Sequence, residues 1–103
     1  MESKVYLVQN SEGHYKIGRT TKTIDTRIKQ LQTGSSLEIF PIAECTVLYA
    51  SKVEAKLHRN YSRFQLLNEW FDLPEDIVEG FIDEALRADR MFKMLSDSGN
   101  PFV

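Results

Sequence analysis

Two short runs near the start of the chain, KVYLVQ at 4–9 and HYKIGR at 14–19, are rich in β-branched and aromatic residues, which predicts two strands. NSEG lies between them, and a three-residue loop of Ser11, Glu12 and Gly13, with Gly13 in the left-handed conformation, closes them into a hairpin. In that register Asn10 pairs with His14 and Tyr6 lies opposite Gly18. Val5, Leu7, Tyr15 and Ile17 then share a core face, and Tyr6, Val8, Lys16 and Gly18 share the other. A two- or four-residue loop would instead set Tyr6 opposite Ile17 and separate it from Lys16.

The period then changes. Thr23 is placed as an N-cap with Asp25 in the first turn, and Ile24, Ile28 and Leu31 follow at helical spacing up to a stop at Gly34. Residues 38–49 read as one extended strand, with Pro41 confining its start to an edge or a bulge. A second helix over 52–62, opening at Ser51, carries Val53, Leu57 and Tyr61 on one side and Glu54 and His58 on a neighbouring stripe. NEWFDL reads as a short strand or a packed aromatic turn. A closing helix over about 73–95 is marked by Ile77, Phe81, Ile82, Ala85, Leu86, Phe92 and Leu95, and 97–103 reads as a flexible tail. This order predicts an α/β (α+β) domain over 1–96: a small antiparallel or mixed three-stranded sheet opened by a hairpin, flanked by helices, with an additional C-terminal helix.

Composition narrows the setting more than the function. At 103 residues, 42% apolar and 27% charged, the chain fits one ordinary globule with one core. Its lone cysteine, Cys45, cannot form an internal disulfide and reads as a small buried hydrophobe. No apolar run approaches a membrane span or a signal peptide, so a cytoplasmic protein with no membrane partner is expected. The net charge of −2 conceals an asymmetry: residues 1–67 hold ten Lys and Arg against six Asp and Glu, and residues 68–103 hold three against nine. A basic face in the first two thirds could meet phosphates, although a solvated surface with an acidic closing helix explains the same distribution.

Four short motifs recur in order along the predicted elements: VYL at 5–7, KIG at 16–18, Arg27 on the first helix and Glu54 on the second. In this order and spacing the chain resembles the GIY-YIG nucleases, in the phage-type branch with KIG in the second motif and a late EWF segment, here Glu69 to Phe71. The resemblance spans residues 4–73 and implies a metal-dependent DNA endonuclease or nickase, a hydrolase of phosphodiester bonds. Two positions depart from the family pattern. Leu31 stands where many relatives place a histidine, and only Asn68 or Glu69 lies near the place of a late asparagine.

Phosphodiester hydrolysis needs a base for water, positive charge on the nonbridging oxygens and help for the leaving oxyanion. The resemblance implies Tyr6 as general base, Arg27 and Lys16 as phosphate clamps, and Glu54 as both a catalytic residue and the ligand of one Mg²⁺ or Mn²⁺. Zinc would ask for more nitrogen or sulfur ligands. A phenol alone is a weak base at neutral pH, so this role requires cations beside it. His58, one turn beyond Glu54, would support the site, and Arg19, Lys22 and Lys29 would contact the DNA backbone.

Each residue has a plainer reading as well. Tyr6 suits strand packing, Lys16 a solubilising surface, and His58 a structural place on its helix. Ser51 to Glu54 spells a capping box, in which Glu54 would reach back to the Ser51 N–H and take no part in chemistry. The alternative to a nuclease is therefore a catalytically weak or inactive module that binds DNA or a partner protein, or self-associates through its closing helix. RNA stays open as a substrate, because nothing in the chain reads a 2′-hydroxyl recognisably.

Overall fold

The opening runs form β1 (Ser3–Asn10) and β2 (Tyr15–Thr20), an antiparallel hairpin in the computed structural model, which describes residues 3–67 and 69–99. Gly13 sits at φ 85°, as the three-residue loop requires. Asn10 fastens that loop: its N–H donates to the His14 carbonyl at 2.9 Å, and its Oδ1 accepts from the N–H groups of Glu12 and His14 at 3.0 Å each. The register follows, with Tyr6 opposite Gly18 and Val8 opposite Lys16.

β3 (Ile39–Val47) pairs antiparallel with the other side of β1, so the order is β2-β1-β3 and the sheet is antiparallel throughout. Leu7 pairs with Ala43 and Val8 with Pro41, which leaves Ile42 as an extra residue beside the proline in an edge strand. β3 is shorter than the expected 38–49. Leu48 and Tyr49 leave the ladder, and their N–H groups donate to the carboxylate of Asp89 at 2.9–3.1 Å.

The central position of β1 means that both of its faces are covered. Val5, Leu7 and Ile17 meet the side of α2 (Ala50–Asn60) that carries Val53 and Leu57, followed by Tyr61. On the opposite face Ile24, Ile28 and Leu31 of α1 (Ile24–Thr33) cover Tyr6, Val8 and Ile39. α1 begins as expected, with the Thr23 hydroxyl accepting from the Thr26 N–H at 3.2 Å. α2 does not. Its N-cap is Tyr49, Ser51 lies inside the first turn, and the capping box does not form, which leaves Glu54 free to turn outward.

Phe71 is fully buried and exchanges two backbone hydrogen bonds of 2.8 Å with Tyr15, so the NEWFDL stretch attaches to the end of β2. The single closing helix expected over 73–95 is instead two: α3 (Glu75–Glu79) and α4 (Phe81–Asp97), broken at Gly80. An apolar stripe continues across a glycine, but the residue lacking a side chain is where a helix yields most easily. Phe81, Ala85 and Ala88 are buried in the first core, whereas Ile82 turns out to solvent, as do Met91 and Met94. α4 ends at Asp97, the first residue of the expected tail, and 100–103 of that tail lie outside the described residues. Among the described residues no helix is long and apolar enough to cross a membrane.

Candidate functional site

A cleft of about 480 Å³ opens over β2, the outer strand of the hairpin and an edge of the sheet. Tyr6 and Gly18 reach it from the face covered by α1, together with Lys16; Arg27 and Gln30 come from α1 itself, and Glu54 and His58 from α2. Arg19, Thr20, Thr21 and Lys22 complete the rim as β2 ends, and Glu69 stands opposite Lys16. Strand alternation sends Gly18 and Arg19 to different sides, so the cleft straddles the strand, and groups from both faces of the sheet meet there.

The Tyr6 ring is 1% exposed. Its hydroxyl oxygen accepts a hydrogen bond from Arg27 Nε at 3.1 Å, which fixes both side chains at the cleft wall. Gly18 is required directly below. A Cβ there would run into the Oη and Cζ of Tyr6, well inside van der Waals contact. Arg27 spreads the other end of its guanidinium to Gln30 Oε1 at 3.3 Å, a partner one turn along α1 that only helical spacing could have suggested.

Lys16 points its ammonium at Glu69 Oε2, 2.8 Å away, and lies 5.9 Å from the centre of the Trp70 ring. The hydrogen bond and the charge of Lys16 hold the Glu69 carboxyl below its ordinary value. Glu54 Oε2 accepts from Arg19 Nη1 at 3.2 Å, and its Oε1 lies 3.9 Å from His58 Nε2. His58 Nε2 also lies 2.9 Å from the Ile17 carbonyl, which can only accept, so that nitrogen donates. The imidazole packs edge-on against Phe71 at 5.2 Å. This bond ties α2 to β2 and leaves only Nδ1 without that duty.

Of the residues singled out in the sequence, Tyr6, Lys16, Arg19, Lys22, Arg27, Glu54 and His58 line this one cleft. Lys29 does not; it is exposed on α1. Arg19, expected to contact the DNA backbone, lies in the cleft and is bound to Glu54. Thr20, Thr21 and Gln30 carried no signal in the sequence beyond their neighbours. Asn68, the nearest asparagine to the expected late position, lies outside the described residues. Cys45 is half-buried against the first core and burial pushes its thiol up, in keeping with an inert hydrophobe.

Among the described residues no three of His, Cys, Asp and Glu stand close enough to enclose an ion. The donor set of the cleft is two carboxylates, each already paired, Glu54 with Arg19 and Glu69 with Lys16, while His58 Nε2 is given to a carbonyl. Such a set suits a cation that keeps most of its waters and takes its other ligands from phosphate, as Mg²⁺ and Mn²⁺ do, and does not suit zinc. Four Lys and Arg side chains against two Glu give the cleft an excess of positive charge.

The chain belongs to the T5orf172 domain family, whose model matches residues 4–86. That family comprises phage-type, nuclease-like and DNA-binding domains. The match corrects the GIY-YIG resemblance drawn from the short motifs: T5orf172 is a distinct family, and no GIY-YIG model matches the chain. No curated protein and no solved structure matches it.

Proposed function

We propose, taking membership of the T5orf172 family as the premise, that this domain hydrolyses a phosphodiester bond of DNA with the help of one divalent metal ion. The observation that carries the reading is the convergence in one cleft of Tyr6, held at 3.1 Å by Arg27, with Lys16 and Glu54. Tyr6 acts as the general base. As the phenolate, which the Arg27 hydrogen bond stabilises, its oxygen takes a proton from the attacking water and becomes the neutral phenol. Arg27 and Lys16 hold the nonbridging oxygens of the phosphate, and Gly18 leaves the room that the Tyr6 phenol occupies.

Glu54 is the residue that would hold Mg²⁺ or Mn²⁺, which supplies charge stabilisation at the phosphate when bound. Arg19 keeps this carboxylate turned into the cleft with His58 beside it, and Arg19 and Lys22 extend its positive rim toward flanking phosphates. A cytoplasmic setting agrees with DNA as the substrate.

The test is nicking of supercoiled plasmid with Mg²⁺ or Mn²⁺. Wild type should convert the plasmid, and Tyr6→Phe, Arg27→Ala and Glu54→Gln should each be slower by roughly 10²–10⁴-fold at equal folded concentration. Equal rates across the set would remove the assignment. One observation favours a second reading, a DNA-binding domain that does not cut: Glu54 is already paired with Arg19 at 3.2 Å. That reading predicts DNA left intact with either metal, and binding indifferent to Glu54→Gln.

A further inference from the structure

Three other clefts among the described residues differ sharply in charge. One beneath α3 and α4 is lined by Asp76, Asp83 and Glu84 against Arg87 alone. Another, at the hairpin tip, carries Glu12 and no Lys or Arg. The last, of about 420 Å³, has no acidic residue in its lining and contains Arg19 and Lys52. It also shares a wall with the candidate active cleft, since Arg19, Thr20 and Thr21 line both.

We infer that these two contiguous clefts form one groove, in which the strand whose phosphate sits beside Tyr6 continues over the Arg19 to Thr21 ridge. Its next backbone phosphates then meet Lys52. This rests on the reading of the first cleft as a DNA phosphate site and extends it to a direction of travel across the protein. Three observations support the path. The two clefts share a wall, both are basic, and the clefts beneath α3 and α4 and at the hairpin tip would repel a polyanion or offer it no cation. The ridge between them is built for contact, because Thr20, Thr21 and, beyond them, Ser51 present short hydroxyl side chains that can donate to phosphate oxygens. Lys52 is held ready: its ammonium lies 5.8 Å from the centre of the Tyr49 ring, on the wall of the second cleft.

Lys56, on the same helix, provides the control, because it lines neither cleft. Binding of a short labelled duplex is measured by fluorescence anisotropy in EDTA across a salt series, for wild type, Lys52→Gln, Lys52→Arg and Lys56→Gln. Lys52→Gln should weaken binding about fivefold to tenfold near 0.1 M salt and lower the salt slope by about 1, as expected for one lost phosphate contact. Lys52→Arg should restore both, and Lys56→Gln should match wild type. Equal affinities and slopes for the two glutamine variants, or a wild type that binds no duplex, would overturn the groove. Nothing is cut in EDTA, so a protein that fails to nick plasmid still gives a clear answer here, and the two proposals fail separately.

Discussion

The two faces of β1 are equally dry and serve different ends. Leu7 is 0% exposed on one face and Tyr6 1% exposed on the other, yet the first belongs to a cluster of thirteen buried residues and the second to a cluster of three. The larger cluster joins β1 and β2 to α2 and α4, and that is where most of the apolar area leaves water. The smaller one encloses a phenol ring and leaves its oxygen to Arg27. A buried strand can thus hold a polar site rigidly on one face because the opposite face supplies the stability. Removing apolar bulk should harm the first side in stability, and adding bulk should harm the second in geometry.

Phe81→Ala is the strongest way to break this division. Phe81 is 1% exposed in the larger cluster, and its truncation should cost about 3–5 kcal/mol in urea unfolding, a large share of the stability of so small a domain. Nicking per folded molecule should be unchanged, because no Phe81 atom lines the cleft. A loss of rate at full folding would show that the faces are not separate. Gly18→Ala comes next. The added methyl must push the Tyr6 ring aside, with an expected cost of about 1–3 kcal/mol. Displacing the phenol from its place by about an ångström should slow nicking by about a hundredfold. A variant as active as wild type would mean that the Tyr6 position is not used.

Local chemistry was legible in the sequence, and tertiary substitution for it was not. The hairpin register followed from Gly13 and the length of one loop, and α1 from Thr23 and Gly34, all signals within a few residues. The start of α2 is different. There Asp89, about forty residues away, accepts from the N–H groups of Leu48 and of the cap residue Tyr49 and fixes the entry to the helix, so the local Ser51 to Glu54 pattern was misleading. Gly80 broke a helix whose apolar stripe runs past it, because periodicity records which face is buried and not whether the backbone continues. In the cleft, Tyr6, Lys16 and Gly18 followed from register, and Arg27 and Glu54 from the order of motifs. The Lys16 to Glu69 pair spans 53 positions and had no such signal. The family was misread for a related reason. VYL and KIG describe two strands that face each other, a requirement too small to separate one family from another, whereas the match over 4–86 draws on the whole pattern.

The smallest expected effect at neutral pH concerns the dry face itself. Among the described residues the Tyr61 hydroxyl is the buried side-chain polar atom without a hydrogen-bond partner. Burial, aided by the charge of Glu84, pushes its phenol up to about 12. A phenol raised in the folded state favours folding while it is neutral. Its contribution is therefore complete below the ordinary value near 10 and is lost as pH rises through about 12, an alkaline penalty of about 2–3 kcal/mol. Tyr61→Phe removes an unsatisfied group, so at neutral pH it should change stability by less than about 1 kcal/mol, in the stabilising direction if at all. Between about pH 10 and 12 the variant should lose stability more gently than wild type in parallel urea titrations, while plasmid nicking at neutral pH stays the same. Identical alkaline slopes would place the phenol in contact with water and weaken the case that the α2 and α4 side of β1 is the dry scaffold.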